Sequence, residues 1–188
     1  TIHLIFFSGA VFRCLRHAVV AMPYSIAQLN QMSQDDFVAV LGAVFEATPT
    51  IAREAWTQRP FTDITDLYQA MVDVVNAMTQ AERLTLVRAH PDLGSKAKMA
   101  DASVQEQAGA GLDRLTVEEY DRFHALNQAY KEKFGFPFII AVKLHTKASI
   151  LEAFEQRLHH TPEAEIKQAL TEITQIARLR LAALLTDT

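Results

Sequence analysis

Apolar residues recur along most of the chain at the three- and four-residue spacing of helices with one buried face, and polar capping residues stand at the start of most such runs. Ser33-Gln-Asp-Asp opens a helix carrying Phe37, Val40, Leu41, Val44 and Phe45. Thr48 as N-cap with Pro49 at the first helical position opens a short helix through Ile51, Ala55 and Trp56, which Arg59-Pro60-Phe61 breaks. Asp63 or Thr65 caps a helix bearing Ile64, Leu67, Ala70, Met71, Val74 and Val75, and Thr79 caps one that runs through Leu84, Leu86 and Val87 to His90. Thr116 opens a long helix with Tyr120, Phe123, Leu126, Asn127 and Tyr130, closed by Gly135. Ile150, Leu151, Phe154 and Leu158 mark another helix. Thr161-Pro162-Glu163 starts the last, with Ile166, Leu170, Ile173, Ile176, Leu179, Leu181 and Leu184.

Phe136-Pro-Phe-Ile-Ile-Ala-Val142 is the one β-like run, and a lone strand has no partner elsewhere. It reads as an extended approach, through Pro137, to a buried helix or turn, with Lys143 to Thr146 a turn before the next helix. About eight or nine helices joined by short links make this an all-α, single compact domain.

The stretch from Arg88 to Asp113 breaks the pattern: it gathers His90, Asp92, Ser103, Glu106 and Gln107 around three of the chain's six glycines. Pro91 disfavours helical geometry at His90, so the imidazole stands at a helix end, either as a simple cap or as a proton-transfer group. Ser103-Val-Gln-Glu106 has the form of a capping box, which explains both residues without chemistry. Ser103, Val104, Gln105, Glu106 and Gln107 would otherwise make a helix-start cradle for an anion or carbonyl. Arg180 sits among Ile176, Leu179, Leu181 and Leu184, where burial demands a partner; Glu172 and Asp187 are the near acids.

At 188 residues and 49% apolar side chains the chain can bury a sizeable core. A net charge of −4 and a pI near 5.9 give no electrostatic footprint for nucleic acid. Cys14 is the one cysteine, which excludes an intrachain disulfide and makes the cytoplasm the expected location. Residues 1–21, TIHLIFFSGAVFRCLRHAVVA, are apolar, yet Arg13, Arg16 and His17 interrupt them, so neither a membrane span nor a secretory peptide is expected. They read as an N-terminal extension, with the domain proper over 22–188. His145 and His159-His160 are scattered and no H-E-x-x-H occurs, so no metal site is expected.

Taken together, HP-x-LG at 90–94, S-x-x-EQ-x-x-AGL at 103–112, FGFPFI at 134–139 and I-x-x-LRL around Arg180 resemble, in that order, the OHCU decarboxylases of uric acid breakdown. The resemblance covers roughly residues 25–185. It implies conversion of 2-oxo-4-hydroxy-4-carboxy-5-ureidoimidazoline (OHCU) to (S)-allantoin and carbon dioxide without a cofactor, by a protein that is often a homodimer. It assigns His90 to proton transfer and Glu106 to work beside it. Pro91, the 103–107 residues, Phe138, Ile139, Ile140, Ala141, Val142 and Arg180 become contacts for a small-molecule substrate. Relatives often have a glycine where Leu144 stands, which bears on the shape of the 143–146 turn. A second reading takes His90-Pro91-Asp92 as the HPD tripeptide of J-domain co-chaperones, although the preceding helix carries only Arg83 and Arg88 as cations and includes Glu82. A third, a metal-dependent amidohydrolase of purine breakdown, lacks ligands.

Overall fold

The computed structural model describes residues 23–95 and 101–186, so the extension expected over 1–21 lies outside the described residues. Within them run nine α-helices: α1 Ile26–Gln31, α2 Gln34–Leu41, α3 Thr50–Ala55, α4 Ile64–Ala77, α5 Gln80–Arg88, α6 Asp101–Gly109, α7 Val117–Phe134, α8 Lys147–Arg157 and α9 Pro162–Leu184. To this all-α architecture one small sheet is added. β1, Tyr24–Ser25, pairs in parallel with β2, Leu185–Thr186, and ties the two ends of the described chain together. Among the described residues no helix is long and apolar enough to cross a membrane.

Most helix starts follow from local capping chemistry. Thr79 and Thr116 each accept an amide N–H three residues on, while Glu82 and Glu119 reach back to the cap's own N–H. Asp63, rather than Thr65, caps α4, and Thr161 caps α9 with Pro162 just inside. Gly135 closes α7 at φ 76°, in the left-handed region that favours glycine. Two starts differ from expectation. Thr48 donates its Oγ1–H to the Glu46 carbonyl at 2.8 Å, which leaves Pro49 in the cap position and starts α3 at Thr50. The short α1 carries no readable stripe, and a Ser25–Gln28 capping box starts it.

The spine is α9, which packs against α4 and α5. Its central face is Ala169, Ile173, Ala177 and Leu181, spaced by four. Of the expected stripe, Ile173 and Leu181 lie on this face, while Ile166, Leu170 and Ile176 are partly buried to its side and Leu184 is 36% exposed. Alanine at two of the four central positions lets neighbouring helices approach closely, which moves the larger residues to the flanks. This placement aims Arg180, also buried, at the opposite side of α9 from solvent-facing Arg178.

The 136–141 segment forms no strand. It runs extended into a 3-10 turn over Val142–Leu144. Arg157 fixes it, donating from Nη1 to the Ile139 carbonyl at 2.7 Å while its guanidinium lies 4.4 Å from the centre of the Phe138 ring. Arg157 is itself paired with the fully buried Glu165, which also accepts from the Tyr130 hydroxyl. Leu144 is exposed, and Ala47 is the one non-glycine of positive φ among the described residues, so position 144 carries no left-handed strain.

Candidate active site

The site begins at the end of α5. The helix stops at Arg88, and the carbonyl of Leu86, which has only a long 3.3 Å bond from the Ala89 N–H, also accepts from His90 Nδ1 at 3.0 Å. A carbonyl oxygen can only accept, so in the neutral ring the proton sits on Nδ1 and the lone pair on Nε2. His90 therefore caps its helix and also holds a defined tautomer. The ring is 9% exposed, and burial lowers its pKa to about 4 against the opposing pulls of the Leu86 carbonyl and the Glu46 carboxylate. It stands at neutral pH as a base.

That shift links stability to pH. The unfolded chain takes up a proton at His90 as pH falls through 6.5, while the folded chain does so only near pH 4. This group's contribution is complete above pH 6.5 and is lost as pH falls toward 4, at up to about 1.4 kcal/mol per pH unit. Urea unfolding of the wild type between pH 6.5 and 4.5 is expected to lose more stability than the His90→Gln variant over the same interval. Parallel losses would contradict the assignment.

Opposite stands α6. Ser103, Glu106 and Gln107 are spaced i, i+3, i+4, so they share one buried face, while Val104, 49% exposed, and Gln105 point away. Ser103 is not an N-cap: it lies inside the helix, and its Oγ donates to Glu46 Oε2 at 2.7 Å. Glu106 does not return to the Ser103 backbone either. Both its oxygens accept from Arg180, Oε1 from Nε at 2.9 Å and Oε2 from Nη2 at 2.8 Å. The partner of the buried arginine is thus Glu106, with Glu46 beside it, and not Glu172, whose carboxylate accepts from the Ala141 N–H. The amides of Gln105 to Gln107 fall within the helix, where the i to i−4 ladder occupies them.

Arg180 is fully engaged. Besides Glu106, its Nη2 donates to Ser103 Oγ at 2.9 Å and its Nη1 to Glu46 Oε2 and the Ala43 carbonyl, each at 3.1 Å. Burial opposes its charge, but Glu106 and Glu46 more than offset this and hold its pKa above the ordinary value.

A cavity of about 30 Å³ joins these groups. His90, Pro91, Ser103, Glu106, Gln107 and Arg180 line its polar side, and Phe138, Ile139, Ile140 and Val142 its apolar side. Ala141 is buried behind that wall, and Val104 and Gln105 do not reach it. The volume holds about one water molecule, so a ligand of a dozen heavy atoms requires the walls to part. Gln107 Oε1 accepts from the Gly94 N–H at 2.9 Å. Gly94 has φ 66°, in the left-handed region that favours glycine, and a Cβ there would also press on Leu115 Cδ1 at 2.9 Å.

Four contributors were not legible beforehand. Glu46 is 3% exposed beside Arg180, Leu93 and Ile176 complete the cavity lining, and Lys143 brings its Nζ to 3.8 Å from Glu106 Oε1. For Glu46 the available signal was an acid directly after Val44-Phe45 on an apolar run. The co-chaperone reading of the HPD tripeptide fails, because His90 is buried and Asp92 pairs with Lys131 at 2.7 Å, so the tripeptide is not presented to a partner. Of the remaining histidines, His160 pairs with Glu165 at 2.8 Å and His145 contacts Ser149 at 3.3 Å.

Comparison with known proteins identifies the family of the chain. A profile of the OHCU decarboxylase family matches residues 30–182. The chain is 44% identical over 160 residues to the 2-oxo-4-hydroxy-4-carboxy-5-ureidoimidazoline decarboxylase of Halalkalicoccus jeotgali, covering 85% of this chain and 91% of that one. It is 35% identical over 164 residues to the mouse (Mus musculus) protein of the same name, covering 85% and 92%. Among solved structures, an OHCU decarboxylase crystallised in the presence of (S)-allantoin superposes with a TM-score of 0.64 at 26% identity, over 81% of this chain and 98% of that one. An (S)-allantoin synthase superposes with a TM-score of 0.68 at 30% identity over 86% of this chain, which spans 54% of that protein's length. With a family profile matched across most of its length, and curated relatives aligned over nearly all of theirs, this chain belongs to the OHCU decarboxylase family.

Proposed function

We infer that this protein converts 2-oxo-4-hydroxy-4-carboxy-5-ureidoimidazoline to (S)-allantoin and carbon dioxide in uric acid breakdown. The observation that carries the reading, beside family membership, is the meeting of His90, Glu106 and Arg180 from three distant segments around one cavity. Decarboxylation leaves an electron pair on carbon and needs a sink. The substrate carries one: an imine beside the carbon that bears both the carboxylate and a hydroxyl. As the carbon–carbon bond to the carboxylate breaks, its pair forms a ring carbon–carbon double bond, the imine pair moves to the nitrogen, which takes a proton from solvent, carbon dioxide leaves and an enol remains. The enol then loses its hydroxyl proton while the neighbouring carbon gains one, and the face that receives it sets the handedness.

His90, neutral with its lone pair on Nε2, is suited to take the hydroxyl proton and to return a proton to carbon. Glu106 orients the hydroxyl or the imidazole, and Arg180 holds the ureido or ring carbonyl groups. A tight ion pair between Arg180 and the departing carboxylate would stabilise the ground state and oppose cleavage, so the arginine is not placed there. No cofactor enters this scheme. A cytoplasmic location, from the single cysteine, and a homodimer, from the family likeness, belong to the same reading.

The test is to mix the protein with freshly generated substrate and follow circular dichroism. The expected result is (S)-allantoin formed well above the uncatalysed rate, with kcat/KM level between pH 6 and 8 because His90 titrates near 4. Racemic allantoin at the uncatalysed rate would overturn the reading.

A further inference from the structure

We infer that Glu46 is a positioning residue of this site, a fixed counter-ion that keeps Arg180 and Ser103 in place when Glu106 turns from the arginine to the substrate. The inference rests on the decarboxylase reading above. Its ground is the geometry of the guanidinium. Arg180 meets the cavity through its bonds to Glu106 and Ser103, both of which line it, whereas Glu46 does not. Glu46 holds the arginine from outside that lining, on the loop after α2, where it borders an outward cleft of about 880 Å³ that shares His90 and Pro91 with the cavity. A ligand entering the cavity meets Glu106 on the arginine, whereas Glu46 is not among the residues it would touch there.

Charge points the same way. Two carboxylates share one guanidinium, so the cluster retains one negative charge in excess, and Lys143 at 3.8 Å from Glu106 sits at its outer side. Once Glu106 is drawn to the ligand, Arg180 would be a buried cation without a carboxylate unless Glu46 stayed. One oxygen of Glu46, Oε2, accepts from both Arg180 Nη1 and Ser103 Oγ. The backbone around it is set for this purpose: Thr48 Oγ1 donates to the Glu46 carbonyl, and Ala47 is held at φ 46°, a conformation a non-glycine residue adopts only at a cost. Glu46 also acts on the imidazole at a distance. The charged groups that bear on His90 are Glu46 after α2, Glu106 on α6 and Arg180 on α9, and the first of these pulls its pKa upward. Arg88, Asp92 and Lys131 line the same outer cleft as Glu46 and His90.

Two variants separate charge from shape. Glu46→Gln keeps an oxygen that can accept both bonds and removes the charge, while Glu46→Ala removes the clamp. In the folded fraction of each, kcat/KM is expected to fall about tenfold or more, chiefly in kcat and more steeply for alanine. In Glu46→Gln the acid limb of kcat/KM is expected at lower pH than in wild type, a displacement that a merely structural residue would not cause. A Glu46→Gln protein with wild-type kcat and an unmoved acid limb would overturn the inference. NMR titration of His90 in the two proteins reads the same contact without turnover. A wild type inactive on the substrate but with His90 titrating at higher pH than in Glu46→Gln would therefore sink the decarboxylase reading and leave the electrostatic contact standing, whereas identical titrations would sink the role given to Glu46.

Discussion

Replacing Arg180 with methionine is expected to abolish activity and to destabilise the fold severely. The guanidinium is the one donor group shared by Glu106, Glu46, Ser103 and the Ala43 carbonyl, and all of its bonds lie in or beside the buried interior. Methionine fills comparable space but leaves two buried carboxylates with only the half-exposed ammonium of Lys143, 3.8 Å from Glu106, as a nearby cation. Breaking a buried pair by removing one partner costs about 3–5 kcal/mol, which for a domain of this size lowers Tm by roughly 10 °C or more. The control is a triple variant, Arg180→Met with Glu46→Gln and Glu106→Gln, in which no charge is left unpaired. Thermal unfolding is expected to recover most of the loss in the triple variant, while allantoin formation stays absent in both. An Arg180→Met protein that unfolds at the wild-type temperature would mean that the ion cluster is not formed as described.

His90 gives the opposite signature. Replacing it with glutamine is expected to leave Tm near the wild-type value at pH 7, because the amide can donate to the Leu86 carbonyl in place of Nδ1 and no buried charge is exposed. The rate is a different matter. Removing a general acid–base typically costs 10²- to 10⁴-fold, and a loss of about a thousandfold in kcat is expected, with KM changed little. Steady-state assays on His90→Gln and His90→Ala check this, and near-wild-type turnover by either variant would remove the imidazole from the chemistry.

How much of this could be read in advance depended on how far apart the interacting residues lie. Caps are local chemistry: Thr79 with Glu82 and Thr116 with Glu119 are three residues apart, and both read correctly from the sequence. The same logic misled at Ser103 and Glu106, which have the spacing of a capping box but spend their side chains on partners 57 and 74 residues away. No local motif reports a bond of that span. Glu46 was invisible for the same reason, its arginine lying 134 residues on, among neighbours that look like ordinary core. On α9 the larger aliphatics gave only Ile173 and Leu181 of the central face, and Ala169 and Ala177 complete it, because close helix packing favours the smaller side chain. That Arg180 must have a partner was legible from its apolar surroundings, though which partner was not. His90, Glu106 and Arg180 were brought together in advance only by the joint order of four short motifs, and the fold then supplied the cavity they share.

The proposed chemistry turns on a neutral imidazole, set by the Leu86 carbonyl, that would hand one proton to one face of a carbon within a site closed by Glu106 and Arg180. The most direct measurement is the handedness and isotope content of allantoin made in deuterium oxide by the wild type and by His90→Gln. The wild type is predicted to give (S)-allantoin with one deuteron at the stereogenic carbon, and His90→Gln to turn over about a thousandfold more slowly and to give product whose handedness is largely lost. A His90→Gln protein that still yields (S)-allantoin at near the wild-type rate would contradict the assignment of that proton to His90.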